Sequence, residues 1–483
     1  MHQPIKTLLY LVITFFSMAV LSVLYPKDGI TVTDKLTFRF PEFSSFFSKP
    51  AKKKDISEII QLADKLNAQD SILHDHDTLS GSSDADSAMK AKLITSIQYK
   101  QPAVLHAFFE ALANLKNDPK SIRVLHYGDS QIESDRITDY LRMKLQGQFG
   151  GNGPGMTSLL PVSQGIACRV VSGTGWDRYQ TFTAKDKRVK HSNYGPTGGF
   201  TRYLPYRQLT DTTSVFSTKI TITTNKMAGS NNLGYKRLKL YYGGAQCKTW
   251  CELYDGPALA GADSLAKGGY FNMKEFNITP GSVQHELRFS GKDSPDFYAF
   301  SLESDHGVYV DNIAQRGSSG TFFHHLNFSQ LKSFYDYLNV KLVILQYGGN
   351  ALPAIKSKEN AVNFASYFKG QIAIVKKAAP GASILFIGPA DMSVKEGTEY
   401  VTHPYLEDTR TALKNVVLEM GCAYFDMYDC MGGKNSMPTW VSEKLAAEDY
   451  IHFSPQGARK MATLLYSSLL SNYNSFIKNK PKK

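Results

Sequence analysis

Four short segments carry residue types that could perform acyl chemistry. The run Val124-Leu125-His126-Tyr127-Gly128-Asp129-Ser130-Gln131 ends apolar sequence on a glycine turn and is followed by an amphipathic stretch, Ile132 to Phe149. That order reads as strand, tight turn and helix. Ser130 would then stand at the carboxyl end of a strand with its N–H at a helix start, where developing negative charge is favoured. Such a serine could be a nucleophile; it could also be only a helix N-cap. Asp449-Tyr450-Ile451-His452 places an acid three residues before a histidine. One loop can therefore let Asp449 orient an imidazole whose other nitrogen faces Ser130, or hold no more than an ion pair. In Gly348-Gly349-Asn350 the glycines allow close backbone approach and Asn350 could donate to an oxyanion, although Gly-Gly-Asn is also an ordinary turn. Gly317, in the run Asn312 to Gly320, could offer a backbone N–H or simply turn the chain.

Each segment needs an element to hold it. After residue 300 apolar strands alternate with helices: strand Val308 to Ile313, helix Phe328 to Leu338, strand Lys341 to Tyr347, helix Ala361 to Ala379, strand Ser383 to Ile387, helix Leu406 to Met420, strand Cys422 to Asp426 and helix Gln456 to Tyr473. With the Ser130 strand and the helix Pro102 to Asn117 before it, this series predicts a parallel sheet covered by helices on both faces. Between about residues 160 and 305 the pattern changes. Phe216 to Thr224, Leu238 to Tyr242, Val283 to Ser290 and Phe297 to Glu303 alternate apolar with polar residues between Gly, Asn, Asp and Pro. An antiparallel β-sandwich inserted into the α/β domain accounts for the interruption.

Four such signals in this order, each at a strand end or in a loop above the sheet, resemble the SGNH (GDSL-type) hydrolase family over roughly residues 120–160 and 306–470. Gly128-Asp129-Ser130 matches its first block, Gly317 the second, Gly348 with Asn350 the third, and Asp449 with His452 the last. The resemblance implies Ser130, Asp449 and His452 as catalytic residues and an oxyanion hole of Ser130, Gly317 and Asn350. Gln131 replaces the leucine of the eponymous tetrapeptide, and Ala351 the aspartate often found after the third-block asparagine. The β-rich insert, the Tyr347-Gly348-Gly349-Asn350 sequence and Leu145 to Pro154 look like the two-domain peptidoglycan O-acetylesterases of Gram-negative bacteria, whose insert resembles a carbohydrate-binding module.

The composition fits an exported enzyme. The 483 residues are 42% hydrophobic and 12% aromatic, enough for a large core. Thr7 to Leu24 is uncharged, apolar and just long enough to span a bilayer. No small-x-small cleavage site precedes Tyr25-Pro26-Lys27, which favours an uncleaved anchor over a removed signal peptide. The net charge of +12, with Lys52 to Lys54 near the membrane and Lys478, Lys480, Lys482 and Lys483 at the tail, would draw the protein to anionic lipid or wall polymer. No aromatic-studded basic motif argues for nucleic acid. The five cysteines show no zinc spacing. Cys247 with Cys251 and Cys422 with Cys430 are close enough for local disulfides, leaving Cys168 over. Trp176, Trp250 and Trp440 read as core residues before sugar platforms, His126 as packed, and His324 with His325 as a surface helix start.

The expected fold is therefore α/β: a three-layer α/β/α SGNH-type domain with a parallel sheet, interrupted by an inserted antiparallel β-sandwich, with an N-terminal transmembrane helix. The expected divisions are a signal anchor at 1–26, a juxtamembrane spacer at 27–100, a discontinuous hydrolase domain at 101–160 and 306–475, a carbohydrate-binding-module-like insert at 161–305 and a basic tail at 476–483. The expected function is that of a serine esterase removing O-acetyl groups from a cell-wall glycan such as peptidoglycan through an acyl-enzyme. It needs no cofactor or metal, and it would be periplasmic, held at the inner membrane if the N-terminal helix stays. The alternatives are a polysaccharide O-acetyltransferase using the same triad, or a non-enzymatic glycan-binding wall protein.

Overall fold

The computed structural model describes residues 3–26, 29–33, 36–38, 40, 54–72, 96–206 and 213–480. The Ser/Asp-rich run SGSSDADS and most of the lysines flanking the chain's ends lie outside them. The central sheet runs in the order Val308–Ala314, Ile122–Gly128, Val340–Gln346, Ser383–Ile387, Ala423–Phe425 and Ile97–Gln98. The first five strands are parallel and the last, short one is antiparallel. The interior strands read as unbroken apolar runs because both faces are covered. Successive residues of one strand serve opposite cores: Val124 packs under His106–Asn114, Thr138–Phe149 and Pro455–Asn479, whereas Leu125 packs under Phe328–Tyr337, Lys358–Ala378 and Leu406–Glu419. The three-layer α/β/α expectation is met, with the edge strand Ile97–Gln98 as an addition.

Register fixes where the strands end. Gly128 pairs with both Ala314 and Gln346, and Gln346 pairs with Ile387. The loops that follow these strands therefore leave the sheet along one edge.

The intervening sequence forms two antiparallel sheets. One runs Asn272–Asn277, Arg237–Gly243, Asp296–Glu303, Gly199–Arg202 and Asp177–Gln180, with Gly155–Thr157 also on Asp296–Glu303; the other runs Ala258–Leu265, Thr249–Asp255, Gln284–Gly291, Phe216–Thr224 and Cys168–Ser172. A common core of Trp176, Ile220, Leu240, Leu253, Phe289 and Phe300 joins them. The first sheet is buried on both faces, since Tyr241, Tyr298, Tyr179 and Phe200 pack on its far side against Phe334 and neighbouring residues of the α/β layer. The second sheet alternates buried and exposed positions and leaves one face to water.

A buried ion network welds the two regions. Arg123 of the parallel sheet donates to both carboxylate oxygens of Asp311 at 2.7 and 3.0 Å, to Glu303 at 2.5 Å and to the Ser301 hydroxyl at 2.8 Å, the last two on an antiparallel strand. Breaking such a pair by removing one partner strands a buried charge, at a cost of about 3–5 kcal/mol.

Several expectations need correction. The helix after Ser130 does not start at Ile132: a 3-10 turn, Ser130–Asp135, breaks at Ser134, whose φ is +58°, and the α-helix begins at Thr138. All five cysteines are free thiols. Cys251 faces the buried inter-sheet core while Cys247 is exposed, so neighbours in sequence are separated by the sheet. Cys422 is buried beneath the sheet and Cys430 is half-buried at the end of another helix. Trp176 and Trp440 are core residues, but Trp250 is 45% exposed on the solvent face of its sheet. Within the expected spacer a helix, Ser57–Ile72, packs on the final helix, with Ile56 and Ala63 buried and Asp64 paired to Lys460. One helix among the described residues, Pro4–Leu24, is long and apolar enough to cross a membrane, a test that a signal sequence also passes.

Candidate active site

The loops at the carboxyl edge of the parallel sheet bring Ser130, Asn350, Asp449 and His452 together. Gly128 is required at the start of this turn, because a Cβ there would lie 2.9 Å from the Ile132 side chain and 3.3 Å from the Gln346 carbonyl. The next residue takes the capping role that a serine might have filled: Asp129 Oδ1 accepts the Gln131 N–H at 2.9 Å. Ser130 is thereby left with its hydroxyl free for another partner. Its Oγ lies 2.7 Å from His452 Nε2, and His452 Nδ1 lies 2.7 Å from Asp449 Oδ2.

The histidine loop is built by Asp449. Its Oδ1 accepts the N–H groups of Ile451 at 2.9 Å and His452 at 3.0 Å, so the carboxylate that faces the imidazole also folds the backbone bearing it. Burial would raise the Asp449 pKa, but the His452 side chain and these N–H donors hold it below the ordinary value. Asp449 stays ionised and fixes the Nδ1–H tautomer, leaving Nε2 to accept from the serine.

Asn350 follows the Val340–Gln346 strand through Gly348, whose φ of +128° is open to glycine alone. Its Nδ2 donates to Asp129 Oδ2 at 3.0 Å and to the Ser318 carbonyl at 3.2 Å. The amide is thus aimed by the residue before the serine and by the residue after Gly317. Gly317 itself is an exposed turn residue with φ +77° and is absent from the walls of the Ser130 cavity. Burial pushes the Asp129 carboxyl up to about 6, opposed by the Gln131 N–H, His452 and Asn350.

A cavity of 140 Å³ opens beside Ser130, with Asn350 and His452 on its polar side and Pro353, Pro389, Met392 and Ile451 among its apolar walls. Its size is that of a site for one small, roughly benzene-sized ligand. Among the described residues no group of three or more His, Cys, Asp or Glu side chains is arranged to hold a metal ion. His126 is buried beneath the site between Gln346 Oε1 and the Thr138 hydroxyl, and burial lowers its pKa to about 4, so it stays neutral and packed. His324 and His325 end a surface 3-10 turn, where His324 meets Tyr367 and Gln371.

Three features of the site escape a reading of the sequence: the Asp129 bridge to Asn350, the Glu133 to Arg316 ion pair at 2.6 Å beside Gly317, and the grip of Gln131 on the histidine loop. Each depends on contacts between residues more than a hundred positions apart. Only the departure from leucine at Gln131 marked its position.

Residues 263–460 match the GDSL-like lipase/acylhydrolase family model, a span that begins inside the antiparallel region and omits the Ser130 block. No curated protein sequence matches the chain. Among solved structures, a peptidoglycan O-acetylesterase superposes with a TM-score of 0.62 at 20% identity, covering 79% of this chain and 99% of its own. A Bacillus subtilis protein (14% identity, covering 68% and 99%, TM-score 0.29) and an acetyl xylan esterase (13%, covering 34% and 81%, TM-score 0.26) align far more loosely. Residues 263–460 thus resemble a GDSL-like lipase/acylhydrolase domain, and the chain shares its fold with a peptidoglycan O-acetylesterase.

Proposed function

We propose that the protein is a serine O-acetylesterase acting on a cell-wall glycan. The observation that carries this reading is the relay from Ser130 Oγ through His452 to Asp449, 2.7 Å at each step, at the mouth of a small cavity. His452 Nε2 takes the serine proton as Oγ attacks the acetyl carbonyl, and the imidazolium that forms is stabilised by Asp449. The tetrahedral oxyanion is held by the N–H of Ser130 and by Asn350, whose amide turns from the Ser318 carbonyl to the oxyanion, each worth about 3 kcal/mol in the transition state, while Gly317, the third donor that the resemblance implies, stands outside the cavity. The imidazolium protonates the departing sugar oxygen, which leaves as a hydroxyl, and water activated by the same histidine resolves the acetyl-enzyme. The narrow apolar cavity favours a short acyl group, and the fold shared with a peptidoglycan O-acetylesterase favours peptidoglycan as the polymer.

In this reading the α/β layers, 101–160 and 306–475, are the catalytic domain, and 161–305 is an inserted β-sandwich that holds glycan. Trp250 supports that role: its ring lies on the water-exposed sheet face over a groove of 410 Å³ with Ser217, Lys219, Glu252 and Arg288, and aromatic faces ringed by polar groups suit sugar rings. The apolar N-terminal helix would hold the enzyme at the outer face of the inner membrane. The test is acetate release from O-acetylated peptidoglycan and from an aryl acetate by the wild type and Ser130→Ala. Loss of both activities in a folded variant is expected; retained turnover contradicts the assignment.

A further inference from the structure

The histidine loop is an unusual support for a catalytic base. Tyr450, two residues before His452, has a φ of +59°, a left-handed conformation that is unfavourable for a non-glycine residue and persists only when its surroundings enforce it. Part of that enforcement comes from a β-hairpin, Ser393–Glu396 with Glu399–Thr402: the Tyr400 ring stacks on Tyr450 at 3.6 Å and 5°, and the Ser393 N–H donates to the Tyr450 carbonyl at 3.0 Å. The side of the loop facing the serine is held differently. Gln131 Nε2 donates to the Ile451 carbonyl at 2.6 Å, and Gln131 Oε1 accepts the Phe453 N–H at 3.4 Å. These two residues flank His452 directly.

On the reading of Ser130 and His452 given above, we propose that Gln131 is a positioning residue that locks the histidine backbone to the nucleophile turn. Its side chain is buried, and its own N–H is fixed to Asp129, so one short turn sets both the serine and the two peptide groups around its base. The partners leave one amide orientation, with the NH₂ toward a carbonyl and the oxygen toward an N–H. No other side chain offers a donor and an acceptor at this reach. Asparagine is one methylene short, glutamate lacks the donor, and leucine or methionine lacks both. Arg136 adds a further tie, from Nη1 to the Phe453 carbonyl at 3.2 Å, but on the outer side of the loop.

Gln131→Met keeps the side chain's length and volume and removes both hydrogen bonds. In the full chain, with an aryl acetate as substrate, kcat should fall by about tenfold to a hundredfold, the cost of a base displaced by a fraction of an ångström, while KM stays close to the wild-type value. A role confined to packing would leave kcat untouched in this variant. Thermal unfolding of the variant checks that it is folded. Should the methionine variant fail to fold, the isosteric Gln131→Glu carries the same test, because its carboxylate repels the Ile451 carbonyl and should lower kcat at unchanged KM. Wild-type kcat in either folded variant overturns the clamp. Turnover in Ser130→Ala equal to the wild type would instead overturn the assignment of the nucleophile on which the clamp rests.

Discussion

The parallel and antiparallel regions put side chains to use in opposite ways. In the central sheet the five parallel strands point the same way, so the loops after Gly128, Ala314 and Gln346 leave from one edge and their residues converge. In the water-facing antiparallel sheet neighbouring strands run in opposite senses, and side chains from Trp250, Arg288 and Lys219 are spread across a face by the cross-strand pairs Trp250 with Ser290 and Arg288 with Lys219. On the proposed function, convergence makes a point where one bond can be attacked and spreading makes a platform for a polymer. The two regions should therefore fail differently when mutated: one in turnover, the other in affinity.

The largest expected effect lies at the point of convergence. Ser130→Ala and His452→Ala should each lower kcat for both aryl acetate and polymer by about 10⁴-fold or more, since triad members act as a unit. Pull-down with O-acetylated peptidoglycan should remain at the wild-type level, which separates the regions cleanly. Asn350→Ala comes next, with an expected loss of about 10²–10³ in kcat for one oxyanion donor, measured on the same two substrates. The platform should give the complementary result. Trp250→Ala should weaken binding of the polymer by about tenfold, a loss of one aromatic contact of roughly 1–1.5 kcal/mol, with aryl acetate turnover unchanged. A parallel loss of small-substrate turnover would show that the regions are not divided in this way.

The smallest effect concerns two buried groups on the Ser130 strand and its turn. The folded-state pKa of His126 is lowered to about 4, so its contribution to stability is present above its unfolded pKa and lost as pH falls toward 4. Asp129 is raised to about 6, so its contribution is present below its unfolded pKa and lost as pH rises through 6. Each shift corresponds to roughly 3 kcal/mol, and the two oppose. The joint contribution of these two groups to stability measured by urea unfolding should therefore change little between about pH 4 and 6. His126→Gln should remove one side of the balance, so that the variant becomes more stable as the pH is lowered across that window.

Much of this arrangement is legible in the sequence because it rests on local pattern. The βα alternation after residue 300 locates the strands Val340–Gln346 and Ser383–Ile387 and the helices Phe328–Tyr337 and Lys358–Ala378 to within a few residues. Gly128-Asp129-Ser130 and Gly348 with Asn350 fall at strand ends, and Asp449 with His452 in the loop before the helix Pro455–Asn479. What the pattern misses depends on distant partners. Ser130 is released from capping because Asp129 takes that role, and Asp129 is held there by Asn350 in the turn after another strand. Trp250 looks like core by composition, yet strand alternation turns it outward while Cys251 and Leu253 turn in. The hairpin that stacks Tyr400 on Tyr450 carries too few apolar residues to announce itself as a strand pair.

The central claim is that the strand-end relay makes Ser130 the nucleophile. Treatment of the intact protein with a serine-directed organophosphonate, followed by mass spectrometry of its peptides, tests it most directly. The adduct should fall on the peptide containing Ser130, disappear in Ser130→Ala and form far more slowly in His452→Ala. Ester hydrolysis that persists while Ser130 remains unlabelled would contradict the claim.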